Sequence, residues 1–329
     1  MTLTADPPVR QDAAPDRRRA PAVRTLLVVP AMVMLLVGMY AGLDMLGVWV
    51  PVHAGHVDDA HGIVLVMGFV GTLVAAERAV ALAHPLGYLA PAALGTGGLM
   101  LLSTQTKAAG ATLMVLGAIA LVGVYVPLWR RQRDDAVLVQ ALGAVLAVGS
   151  LILWRGGVPV PSLLAWLAGF VILTIAGERL ELARLAMQET AARQLVALAG
   201  ALAIGAVSIL LWPVPGAVAF GLVVLALSAW LARHDVARRT IRSTRLARYM
   251  AACILASQVW MAVAGGVWLV GGAVDHGAGY DAVVHAVFLG FTMSMIMAHA
   301  PVILPAVTRI ALPFHPAMYA PVLLLQGSL

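Results

Sequence analysis

Residues 25–50 read TLLVVPAMVMLLVGMYAGLDMLGVWV, an apolar run whose only charge is Asp44. A helix needs about 20 apolar residues to cross the hydrocarbon core of a bilayer, and this run exceeds that. Arg10, Arg17, Arg18, Arg19 and Arg24 precede it. It is too long for a signal-peptide core, and no small-residue cleavage site follows. The reading is a retained first transmembrane helix behind a disordered basic segment, 1–24.

The same pattern recurs along the chain. Further spans are expected near 61–83, 86–104, 108–129, 136–154, 161–184, 194–212, 215–232, 246–272 and 281–311. An eleventh apolar run starts near Ala317 and is still apolar at Leu325. A helix ending inside hydrocarbon leaves its last carbonyls unpaired. The expectation is therefore ten complete spans and a partial eleventh, with a truncated C-terminus and twelve helices at full length. The fold class is all-α, a polytopic transmembrane bundle in which 25–329 form one domain.

Composition agrees. The chain of 329 residues is 62% apolar and 11% charged, with a mean hydropathy of +0.95. Soluble domains carry about 25% charge, and so apolar a chain lacks the polar surface to cover a water-soluble core. The partner implied is the lipid bilayer. A net charge of +6 would suggest nucleic acid in a soluble protein, but here the basic residues sit in short loops, where they act as topology signals. With an alternating path, nineteen of the 21 Lys and Arg residues fall on the side of the N-terminus, and only Lys107 and Arg155 on the other. That asymmetry predicts a cytoplasmic N-terminus in a bacterial inner membrane. Trp49, Trp154, Trp212 and Trp268 are expected at outer helix ends, and Trp129 and Trp230 at inner ends, as an interfacial belt. The single Cys253 excludes an intrachain disulfide and any cysteine-based cluster. Walker, dinucleotide, zincin and nucleophile-elbow motifs are absent.

An internal repeat runs through three spans. Gly68-Phe69 is followed by Glu77-Arg78, and Gly169-Phe170 by Glu178-Arg179. Gly290-Phe291 is followed, nine residues after the glycine, by His299. The matches fall on spans two, six and ten and suggest three pseudo-symmetric four-helix units; Gly-Phe pairs serving only helix packing are the plainer account.

Ionisable residues inside a membrane are functional candidates. His61 opens the second span after Asp58-Asp59, and His285 opens the tenth. His299 lies fourteen residues further, about 21 Å along an ideal helix and on nearly the same face, the spacing that holds two stacked haems in transmembrane cytochromes. The second span has Ala75 where a matching second histidine would stand, so one haem fits better than two. His61, His285 and His299 are the candidate metal ligands. Glu77-Arg78 and Glu178-Arg179 are adjacent pairs that do not face one another on a helix. They are read either as arginines snorkelling to the surface with a nearby Glu, or as a proton or ion path. His53 and His56 with His61 and Asp58 are candidates for an outer metal ion, with solvated loop histidines as the alternative. His276, His84, His234 and His315 sit in loops or at helix ends. Met293, Met295 and Met297 alternate with period two, which makes no helical face, and are read as packing.

Asp59-Ala60-His61-Gly62 through Gly68-Phe69 resembles the second helix of the haem–copper oxidase catalytic subunit. Val284-His285-Ala286 through Met295 looks like that superfamily's tenth helix. A closer likeness is to the NnrS family, twelve-helix membrane proteins associated with haem, copper and nitric oxide stress. Its His-Ala and Gly-Phe patterns are similar to His285-Ala286 and Gly68-Phe69. The resemblance implies a low-spin haem b held between His61 and His285 near the periplasmic face, with copper as a further candidate cofactor. It also implies a small gas ligand or a redox partner protein. The copper-site histidines of the oxidases have no counterpart here, since the sixth span offers Glu178 and the seventh no histidine. The expected function is a haem-binding membrane protein of nitrosative stress or electron transfer; were it an enzyme, it would be a haem-dependent oxidoreductase. Two alternatives stand beside it. One is a secondary transporter or proton-coupled permease using Glu77 and Glu178, and the other a cofactor-free structural or assembly protein.

Overall fold

The computed structural model describes residues 19–51, 57–183, 189–308 and 311–329, and the path is helical with no strand among them. Eleven helices are labelled here in chain order. They are α1 (Arg19–Met45), α2 (Asp58–Leu82), α3 (Leu89–Leu101), α4 (Lys107–Gln132), α5 (Asp135–Arg155), α6 (Val160–Ala183), α7 (Glu189–Leu211), α8 (Pro213–His234), α9 (Arg245–Gly271), α10 (Gly277–Pro305) and α11 (Tyr319–Ser328). Helix α1 begins at Arg19, inside the segment expected to be disordered.

Nine helices among the described residues, all but α3 and α11, are long and apolar enough to cross a membrane, the pattern of a multi-pass membrane protein. Aliphatic side chains on their outer faces have no protein neighbour to cover them: Leu36 is 65% exposed, Ile204 69% and Val270 89%. In water such faces would drive aggregation; in lipid they are solvated.

The third expected span differs. Residues 85–88 wind as a 3-10 turn, and the α-helix that follows has only thirteen residues. Its glycines are packing points. Gly97 lies against the Gly110 carbonyl and Met114 of α4, and Gly98 against Met34 of α1. Small residues at these points let three backbones approach closely.

The repeat-bearing helices differ in burial, and α10 is no more enclosed than α8. Helix α6 is the most enclosed and α2 follows it, whereas α1 and α7 are mostly open to the surroundings. Both α2 and α10 contain a π-helical segment, Val64–Gly71 and His285–Met293, and each segment encloses its Gly-Phe pair. The Thr292 hydroxyl donates to the Val287 carbonyl five residues back, in step with that winding (2.8 Å). Gly68 packs under Met34 of α1, and Gly290 under the Trp260 ring of α9. The third pair, Gly169-Phe170, lies in regular α-helix.

The two ends of the bundle are chemically distinct. At one end Lys107 pairs with Asp59 (2.5 Å), and Arg155 donates to the Thr112 hydroxyl (2.8 Å). At the other, Arg131 donates to the Leu82 carbonyl (3.0 Å), and the arginines of the α8–α9 connection gather. The tryptophans expected in a belt divide by burial. Trp49 and Trp212 are exposed, but Trp268 is buried edge-on against Phe220 (4.8 Å), and Trp230 is buried beside His234. Both fill helix–helix contacts that their positions near helix ends do not reveal.

Candidate functional site

Polar side chains lie at both ends of the bundle. One end carries His61 on α2 and His285 on α10, held by different neighbouring helices. Each stands immediately before or at the start of a π segment: His61 three residues ahead of Val64, His285 as the first residue of its own. Such irregular windings concentrate at functional sites because they re-aim side chains. The His61 Nδ1 is buried with no hydrogen-bond partner among the described residues, and the Cε1–Nε2 edge of the ring faces Gly42 of α1. His285 is exposed, and its Nδ1 donates to the Asp281 carbonyl at 2.6 Å. That bond fixes the tautomer and leaves the Nε2 lone pair for a ligand, the arrangement found behind metal-binding imidazoles. The acceptor is the main-chain oxygen of Asp281 and not a carboxylate, and Asp59 is held by Lys107. Helices α2 and α10 pack against each other near the opposite end. Around the histidines, the α2 segment packs instead on α1 and the α10 segment on α9.

His299 does not join them. The π winding breaks the stripe that an ideal helix would make of His285 and His299, so the first is exposed and the second buried. Both His299 nitrogens are engaged: Nδ1 donates to the Met295 carbonyl (2.8 Å), and Nε2 lies 3.2 Å from Arg179 Nη1 and accepts from it. No lone pair remains for a metal. Among the described residues no three His, Cys, Asp or Glu side chains gather as metal ligands would. His53 and His56 lie outside the described residues, as do Arg184 and Arg309. His276 is exposed and paired with its neighbour Asp275. Met295 is buried, with Met293 and Met297 packed against the core, in keeping with a packing role.

The other end carries the inner polar cluster. Arg78 is buried, and its guanidinium reaches Glu77 (2.5 Å), Glu181 (3.0 Å) and the Gln140 side-chain oxygen (3.0 Å). Gln140 donates in turn to Glu181 (3.1 Å). The Glu178 carboxyl is in hydrogen-bond contact with Glu77. Arg179 clamps Asp235 with two parallel bonds of 2.8 Å, and Asp235 also accepts from the Ala237 amide at the start of the one-turn helix Ala237–Thr240. The three residues nine positions after the repeated glycines thus belong to one neighbourhood: Glu77 touches Glu178, and His299 is bonded to Arg179 beside it. Of the two adjacent pairs, Glu77–Arg78 does bond within itself, against the expectation from helical phase, because both long side chains bend to the same point beside Glu181; Arg179 bonds instead across helices to Asp235.

Sequence reasoning missed Gln140, Glu181, Asp235 and Tyr125. Gln140 and Glu181 carried a readable signal, being polar residues within apolar helices. Asp235 reads as a loop residue, and nothing local announces its partner.

The sequence model of the family described as Domain of unknown function (DUF8744) matches residues 24–329. No curated protein and no solved structure matches the chain. The match takes in every helix, from the second turn of α1 to the end of α11, and the chain belongs to the DUF8744 family.

Proposed function

We propose that this protein is a haem-binding integral membrane protein of the NnrS-like kind. His61 and His285 are its axial ligands, and it serves nitric oxide defence or sensing, or electron transfer. The observation that carries the reading is the state of the two imidazoles. The Nδ1–H of His285 is committed to the Asp281 carbonyl, which leaves Nε2 as a ligand, and His61 keeps a buried ring nitrogen with no hydrogen-bond partner among the described residues. Buried polar atoms in proteins are rarely left so. Both residues belong to repeat-bearing helices with π segments, and both match the axial positions of the resembling families. Bound there, haem b would supply one-electron chemistry and an affinity for small gases, tuned by the hydrogen bond behind its histidine. Two imidazole ligands favour electron transfer or sensing, since gas binding requires one of them to yield its place.

The orientation proposed is a cytoplasmic N-terminus in a bacterial inner membrane, which puts the histidines near the periplasmic face. The charge distribution supports it. Copper enters only as a further candidate, at residues outside those described.

The test is the haem content of protein purified from haem-replete cells, measured as pyridine haemochrome against protein. The reading requires close to one haem per chain. A colourless protein would refute it.

A further inference from the structure

The inner polar cluster plays no part in holding a haem at the opposite end, and its chemistry points elsewhere. Three carboxyl groups, Glu77, Glu178 and Glu181, surround a single guanidinium, Arg78. The other nearby guanidinium, Arg179, is committed to Asp235 and to His299. Contact between two carboxyl groups as a hydrogen bond requires a proton on one of them. Tyr125 of α4 is 2% exposed, its hydroxyl has no hydrogen-bond partner among the described residues, and it is within electrostatic reach of Arg78, Glu178, Glu77 and Glu181. A buried hydroxyl within reach of carboxyl groups is a donor in want of an acceptor. Glu181 is the outward member: its side chain is 43% exposed and it shares Arg78 with Glu77.

We propose that the Glu77–Glu178 pair is a proton-binding site, with the Tyr125 hydroxyl within reach, connected through Glu181 to water at the arginine-rich end of the bundle. The exchanged species is a proton, passed from water to Glu181 and on to the shared position between Glu77 and Glu178, and returned by the same path. No bond other than O–H forms or breaks. Among the described residues the titratable and charged groups around the pair are Arg78 from α2, Tyr125 from α4, Arg179 and Glu181 from α6, Asp235 from the α8 end and His299 from α10. Gln140 of α5 bridges without titrating. The proposal does not depend on the haem.

Infrared difference spectroscopy of the purified full chain tests it, reading the C=O stretch of a protonated carboxylic acid on transfer to heavy water. Wild type should show such a band, shifted by deuterium. Glu178→Gln should abolish it. Tyr125→Phe, which removes only the unpaired hydroxyl, should shift it while the melting temperature holds; this variant carries the test should Glu178→Gln fail to fold. Glu181→Gln should slow deuterium exchange of the band severalfold. A wild-type spectrum without the band, a band unchanged in both Glu178→Gln and Tyr125→Phe, or exchange as fast in Glu181→Gln as in wild type would overturn the proposal. So would loss of the band on adding sodium chloride at constant pH, which would make this a metal-cation site.

Discussion

Arg179 and Asp235 form a two-point clamp, both bonds 2.8 Å, with the aspartate side chain fully buried and the arginine nearly so. Helix α6 is thereby fastened to the end of α8, and through His299 to α10. A buried pair contributes little net stability over an apolar replacement, but losing one partner strands a charge. Arg179→Ala and Asp235→Ala should each destabilise the protein by about 3–5 kcal/mol. The double variant Arg179→Met/Asp235→Leu should cost less than either. Thermal unfolding in detergent checks this. Arg179→Lys should not rescue, because an ammonium cannot make the bidentate pair.

A methyl group at Gly290 would overlap the Trp260 ring of α9. Overpacking of this kind costs about 1–3 kcal/mol. Gly290→Ala should lower the melting temperature, and Trp260→Leu in the same chain should restore part of it. A Gly290→Ala protein as stable as wild type would show that α9 and α10 are packed differently.

Gln326 joins α11 to the bundle: it accepts from the Trp260 indole (2.6 Å) and donates to the Ser294 hydroxyl (2.8 Å). Gln326→Leu removes both bonds and leaves the indole N–H and Ser294 without that partner. Amide hydrogen exchange should then accelerate across 319–328 and stay unchanged across 164–183. Equal protection of α11 in the two proteins would contradict this role.

The charge asymmetry predicts that reporters fused after Asp59 and after Arg239 report opposite sides, the first outside and the second cytoplasmic. The same side for both would end the alternating path.

Much of this architecture is legible in the sequence, and the exceptions have physical causes. An apolar window records composition and not winding. The stretch 86–104 is therefore as apolar as the other spans, yet it winds as the Pro85–Tyr88 turn followed by a thirteen-residue α-helix. The π segments are invisible for the same reason, since Val64–Gly71 is equally apolar in either winding. They decide that His285 and His299 part company, which ideal helical phase cannot foresee. The nine-residue repeat, by contrast, picked out Glu77, Glu178 and His299 before any contact between them was visible. What it could not supply were the partners, because Gln140 and Asp235 come from helices without the repeat.

The reduced-minus-oxidised absorption spectrum of purified wild type, His61→Ala and His285→Ala bears most directly on the central claim. The account predicts sharp low-spin haem bands in wild type and their loss in each histidine variant, while His276→Ala and His299→Ala keep them. Normal low-spin spectra in both His61→Ala and His285→Ala would contradict it.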